Sequence, residues 1–183
     1  GAGLVGLGTA YRVMKRGATV VAMSDKDRTV IWEDGVPIEN LLEWAGSTRD
    51  LSRVPTASAG RSEKLFDAEA DVMVLAAASY SVKPEMVERI RASLVVEGAN
   101  MAFTPEARER VDKWPISLVP DVIASSSSAA MVCIQMAERG QVESAELWRR
   151  IEDGIHEAWS VASKRALDLG VSVREAHIQR CKE

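Results

Sequence analysis

Four short apolar runs do most to limit what this chain can fold into. They are Ala18-Thr-Val-Val-Ala-Met-Ser24, Val72-Met-Val-Leu-Ala-Ala-Ala78, Ser93-Leu-Val-Val-Glu97 and Ile116-Ser-Leu-Val119, the last closed by Pro120. A strand with one wetted face alternates polar and apolar side chains. These runs do not alternate, so each predicts a strand covered on both faces, as in a parallel sheet. The stretches between them read as helices. Leu4 to Arg16 is helical in pattern and stopped by Gly17. A short amphipathic piece runs from Ile38 to Trp44, Lys83 to Ala92 carries Pro84 in its first turn, and Thr104-Pro105-Glu106 supplies an N-cap and a proline at N1. Strands alternating with helices predict right-handed βαβ units.

After residue 128 the strand pattern stops. Ala129 to Glu138 and Ser144 to Leu169 read as helices, and Leu147, Ile151, Ile155, Trp159, Ala162, Ala166 and Leu169 form one apolar stripe on the second. Gly170 ends that helix, and Ser172-Val-Arg-Glu175 matches a capping box that opens a last one. The expected organisation is an α/β domain over residues 1–140 and a helical extension over residues 141–183 packing on it.

Gly1-Ala-Gly3-Leu-Val-Gly6 is a G-x-G-x-x-G motif. Its glycines allow a tight turn and let backbone N–H groups approach a pyrophosphate, and the helix that follows adds its positive end. A strand follows that helix, and Asp25 ends the strand where a carboxylate can meet adenosine ribose hydroxyls. The expected fold is therefore a doubly wound, Rossmann-type parallel sheet with C-terminal helices, binding NAD or NADP. Asp25 favours a free 2′-hydroxyl, whereas Lys26 and Arg28 are close enough in sequence to meet a 2′-phosphate. The strand that should precede the motif is central in such a sheet. Its absence from this sequence predicts a gap between two half-sheets and residues upstream of Gly1.

Composition removes other classes. Among 183 residues, 46% are hydrophobic and the net charge is −4, which supports a core and argues against a basic nucleic-acid-binding face. The longest apolar run, Val72 to Ala78, is far shorter than the ~20 residues that span a bilayer. Cys133 and Cys181 form no disulfide framework, so a reducing cytoplasm is the expected setting. His156 and His177 lie far apart and outline no metal site.

Several motifs converge on one family. Gly1 to Gly6, Val21-Ala-Met-Ser-Asp25, Asp71-Val-Met-Val-Leu-Ala-Ala77, Val95-Val-Glu-Gly-Ala-Asn100, Thr104-Pro-Glu-Ala107 and Val119-Pro-Asp-Val-Ile-Ala124 together resemble the cofactor-binding domain of the glutamate/leucine/phenylalanine/valine dehydrogenases, most of all the glutamate-specific members. The stretch Asp34-Gly35 with Ile38 to Trp44 looks like that family's insertion after the second strand. The resemblance implies oxidative deamination of an L-amino acid to a 2-oxo acid and ammonia, with hydride passing to NAD or NADP. It implies that Gly1, Gly3, Leu4, Val5 and Gly6 form the pyrophosphate turn and that Ser24 and Asp25 meet the ribose side. Ala76 and Ala77 would then line the cofactor, Asn100 and Ser125 would stand near the nicotinamide, and Val132 would touch substrate.

The same resemblance implies that no catalytic residue lies in this chain, because the family's catalytic lysines and aspartate belong to an N-terminal substrate domain. This chain alone is expected to be inactive, and the full-length protein to be a homo-oligomer. Asp121 belongs to a Pro-Asp element at a strand end and is not that catalytic aspartate. Ser125 to Ser128 stand where the family usually continues Asn-Ala-Gly-Gly, and Leu75 and Ser79 replace its usual Pro and Glu. These departures keep a second expectation open, a non-catalytic nucleotide-binding or regulatory relative. Val132 replaces a serine of glutamate-specific members, and a buried valine there favours an apolar substrate or none.

Overall fold

The first apolar run joins a sheet only at its end. In the computed structural model, which describes residues 1–37, 39–41, 43, 51 and 58–183, helix α1 (Leu4–Lys15) leads into strand β1 (Ala22–Ser24). Residues 18–21 run beside the next strand without a regular ladder, with Val20 and Val21 carbonyls accepting from Val36 and Trp32 N–H. Strand β2 (Arg28–Ile31) turns back antiparallel to β1, and β3 (Ser58–Arg61) lies antiparallel to β2. Sequence patterning pointed to neither β2 nor β3. The run 28–31 begins with Arg and Thr, and Ser58-Ala-Gly-Arg61 carries almost no apolar signal. The expected helix 38–44 is helical at residues 39–41 and 43; its other positions lie outside the described residues.

A 3-10 turn (Ser62–Asp67) leads to β4 (Val72–Leu75), which pairs parallel with β5 (Leu94–Glu97) in a sheet of order β4-β5-β6, with β6 at Ser117–Val119. Met73, Leu75 and Val95 are buried, as a doubly covered sheet requires. Helix α2 (Pro84–Val87) is shorter than the expected 83–92. Arg89 and Ile90 N–H donate three residues back to Met86 and Val87 carbonyls, which tightens the helix into turns while keeping Met86, Val87 and Ile90 buried. Helix α3 (Pro105–Val111) starts as its sequence predicts, with Thr104 Oγ1 accepting from Ala107 N–H at 3.2 Å.

The strands thus form two three-stranded sheets, the antiparallel β1-β2-β3 and the sheet β4-β5-β6, in which β4 and β5 are parallel. Gly1 and Ala2 lie between their ends. Ala2 N–H donates to the Ser24 carbonyl at 2.6 Å, and a Cβ on Gly1 would stand 2.7 Å from the Ala76 carbonyl oxygen. Beside them a cavity of about 970 Å³ is walled by residues 17–24 on one side and 71–74 on the other.

The chain divides into two compact units, Gly1–Ser117 and Leu118–Glu183. The second holds α4 (Asp121–Ala124), α5 (Ser127–Ala137), α6 (Ser144–Leu169) and α7 (Val173–Arg180). Leu147, Ile151, Ala162 and Ala166 of the predicted stripe are buried, whereas Leu169, in the last turn, is exposed. Gly170 takes the left-handed conformation, φ +66°, that a C′ residue needs, and Ser172 Oγ accepts from Glu175 N–H at 3.2 Å. Asp121, buried at the start of α4, is ion-paired with Arg174 and so ties α7 to α4. No helix among the described residues is long and apolar enough to cross a membrane.

Candidate functional site

The glycine turn is built by contact rather than by loose flexibility. A Cβ on Gly6 would stand 1.7 Å from the Gly1 carbonyl oxygen, so only glycine lets the first turn of α1 close on Gly1. Gly3 caps the helix without a side chain, and a Cβ on it would meet nothing within 4 Å. The first backbone bond of the turn runs from Leu7 N–H to the Gly3 carbonyl at 2.9 Å. The N–H groups before it belong to the orphan set that every helix start leaves for an anion or water. The first turn holds no acidic side chain, and Leu4 and Val5 are 72% and 54% exposed.

Asp25 stands at the carboxyl end of β1, where the sequence places it, but its carboxylate is already engaged. Oδ1 accepts from Asp27 and Arg28 N–H, both at 2.8 Å, and Oδ2 accepts from Leu51 N–H at 3.1 Å. A carboxylate offers about four acceptor positions, so one remains for an incoming hydroxyl. Asp25 first of all staples the β1–β2 turn, which Asp25 N–H closes by donating to the Arg28 carbonyl at 2.9 Å. Ser24 is buried, and its carbonyl holds Ala2.

Across the glycine turn, the loops after β4 and β5 meet. Ala76 is buried against Gly1 and Gly6, and Ala77 is exposed beside them. Asn100 is exposed; its carbonyl accepts from Ser79 Oγ at 2.7 Å, and the Met101 carbonyl accepts from Tyr80 N–H at 2.8 Å. Tyr80 and Met101 both take left-handed backbone, φ +56° and +50°, and Tyr80 Oη donates to Met101 Sδ at 3.3 Å. Two bulky residues in that conformation are costly. Nothing in residue type foretells them, since Asn or Gly is the usual occupant.

Glu97 ends β5 fully buried. Arg108 Nη2 from α3 donates to Oε1 and Oε2 at 2.5 and 2.6 Å, and the guanidinium lies over Phe103 at 4.8 Å. This pair fixes the strand end from which Gly98, Ala99 and Asn100 depart.

The structure therefore brings Gly1, Gly3, Leu4, Val5, Gly6, Ser24, Asp25, Ala76, Ala77 and Asn100 to the carboxyl ends of β1, β4 and β5. That is where ligands bind in open α/β sheets. Ser125 and Val132 belong to the second unit. Ser125 Oγ donates to the Asp121 carbonyl at 2.7 Å. Val132 lies on α5 and is 50% exposed, not buried as the sequence reading had it, because α5 buries none of its residues. No group of three or more potential metal ligands occurs among the described residues. Both cysteines are exposed and unbridged. Burial, and then Arg180, hold His177 below the ordinary imidazole value.

Comparison with known proteins places this geometry in context. The family model described as Glutamate/Leucine/Phenylalanine/Valine dehydrogenase matches residues 1–181. The NADP(+)-dependent glutamate dehydrogenase of Pyrobaculum calidifontis is 36% identical, over 83% of this chain and 38% of that protein. The NAD-specific glutamate dehydrogenase of Staphylococcus aureus is 26% identical, over 91% of this chain and 42% of that protein. Among solved structures, the hetero-hexameric glutamate dehydrogenase from Thermus thermophilus superposes with a TM-score of 0.83 at 24% identity, covering 97% of this chain and 42% of its own. The chain thus spans about two fifths of each of these relatives, and the last likeness establishes the fold alone.

Proposed function

Since the chain belongs to the glutamate/leucine/phenylalanine/valine dehydrogenase family, we propose that it is the part of an amino-acid dehydrogenase that binds NAD or NADP. Residues 1–140 form the nucleotide-binding portion in this reading, and residues 141–183 a helical extension. The observation that carries it is the exposed turn at Gly3, Leu4 and Val5, closed by the Gly1–Gly6 contact at the carboxyl ends of β1 and β4. The first-turn N–H groups suit a pyrophosphate, and Gly3 leaves room for its close approach. Asp25 keeps one acceptor position for a ribose hydroxyl. Ala77 and Asn100 line the opposite side of the turn, toward the second nucleoside.

Once bound, the dinucleotide would supply the hydride acceptor for oxidative deamination of an L-amino acid, of which glutamate is our choice, to a 2-oxo acid and ammonia. The residues of this chain hold and orient the dinucleotide. Proton transfer at the substrate needs groups supplied by the rest of the polypeptide, so residues 1–183 alone do not turn over amino acids. We read the complete protein as a cytoplasmic homo-oligomer; the Thermus thermophilus relative is a hetero-hexamer, which speaks for assembly but not for a single kind of subunit.

Calorimetric titration of the complete polypeptide with NADH and NADPH tests the reading. Gly3→Ala adds a methyl group into open space, so it should leave folding unchanged and weaken dinucleotide binding. Gly6→Ala should disrupt the turn itself. Failure of the wild type to bind either dinucleotide, or unchanged affinity in Gly3→Ala, contradicts the assignment.

A further inference from the structure

We propose that Arg28 and Arg61 form a clamp for the 2′-phosphate of the adenosine ribose, and that the protein therefore prefers NADP(H) to NAD(H). The inference rests on the dinucleotide reading above and narrows it to one cofactor. Its basis is the register of the β1–β2–β3 sheet. Arg28 opens β2 directly beyond the Ser24↔Thr29 pair, so it stands at the carboxyl end of β1 beside Asp25. Arg61 closes β3 directly opposite, as the Arg28↔Arg61 cross-strand pair. Residues paired in this way project to the same face of a sheet with Cβ atoms about 5 Å apart. Like charges on directly opposed residues repel each other, an arrangement a strand pair does not select for its own stability.

Neither side chain is neutralised by a described residue. Among the described residues no carboxylate pairs with Arg28 or Arg61, whereas Arg89, Arg108, Arg110, Arg149, Arg150, Arg165, Arg174 and Arg180 all have acidic partners. Arg28 is half-buried and Arg61 exposed, which leaves the pair open to a dianion from solvent. Planar guanidinium forks are well matched to phosphate oxygens.

The obvious objection is Asp25, whose negative charge would repel a 2′-phosphate. Its carboxylate, however, already accepts three backbone N–H groups from residues 27, 28 and 51, which tie up most of its acceptor capacity. Asp25 thereby sets the turn that puts Arg28 in register with Arg61. Lys26, which the sequence also offered for this role, is almost fully exposed and faces Asp27 at 3.6 Å, so it is not assigned to the clamp.

The test is calorimetric titration of the complete polypeptide with NADPH, NADH, 2′,5′-ADP and 5′-AMP. The wild type should bind NADPH more tightly than NADH, and 2′,5′-ADP more tightly than 5′-AMP, by at least about tenfold, the size of one charge-assisted hydrogen bond. Arg28→Ala and Arg61→Ala should each bring both ratios towards one, and raising the salt concentration should do so in the wild type. Arg149→Ala removes the same charge from α6 and should leave both ratios as they are. A wild type that binds NADH as well as or better than NADPH overturns the clamp while leaving the dinucleotide site intact. Ratios unmoved by either arginine substitution do the same. Binding of no dinucleotide at all overturns the reading beneath it as well.

Discussion

Arg108→Ala removes the guanidinium that meets the Glu97 carboxylate, a charge with no access to water. Glu97 is fully buried, and the Arg108 side chain is 17% exposed. Breaking such a pair from one side costs about 3–5 kcal/mol, because the surviving charge is left in a poor solvent. The stacking of the guanidinium on Phe103 adds about 0.5–1 kcal/mol. Unfolding entropy of about 2.1 cal/mol/K per residue over 183 residues amounts to roughly 0.4 kcal/mol/K. A loss of about 4 kcal/mol then lowers the melting temperature by about 10 °C. Circular dichroism melts of the purified protein at pH 7 read this directly. Glu97→Gln with Arg108→Met removes both charges and should recover at least half of the loss, since nothing ionic remains to be desolvated. If Arg108→Ala melts within about 2 °C of the wild type, or the double variant is no better than the single, the account of Glu97 as a charge held by Arg108 is wrong.

Three further outcomes are expected. Asp25→Ala removes the acceptor of three main-chain N–H groups and should destabilise the protein by about 1–2 kcal/mol in denaturant unfolding without any cofactor, whereas a purely ligand-facing Asp25 would leave stability unchanged. His177 has a folded-state value depressed below its unfolded value of about 6.5. Its neutral form is therefore favoured on folding, and the stability it contributes is present above about pH 6.5 and lost as pH falls through the folded value. Urea midpoints should decline between pH 7 and pH 5, and His177→Gln should flatten that decline; an unaltered slope refutes the assignment. Tyr80→Asn and Met101→Gly put residues suited to positive φ where the backbone already has it, so each should raise the melting temperature by about 2–4 °C. A fall would mean that the Tyr80–Met101 contact outweighs the strain.

What the sequence determined by itself is local. The Gly1–Gly6 spacing, the Thr104 and Ser172 caps, the Gly170 stop and the Leu147–Ala166 stripe on α6 depend on residues within a turn or two of one another, and the structure has each of them. The apolar runs 72–78 and 93–97 likewise announced a covered sheet, because burial on both faces removes polar alternation. Tertiary structure decided what those elements meet. Strands β2 and β3 carry little apolar signal and exist through pairing with each other and with β1. The partners of the Asp25 carboxylate, the burial of Glu97 against Arg108, and the left-handed backbone at Tyr80 and Met101 follow from segments brought together across the chain. Arg28 and Arg61 stand 33 positions apart (61 − 28), and only the β2–β3 register makes them neighbours. A helix repeats a pattern that short-range spacing encodes, whereas strand register is set by which distant segment supplies the hydrogen bonds, and that choice is made in three dimensions.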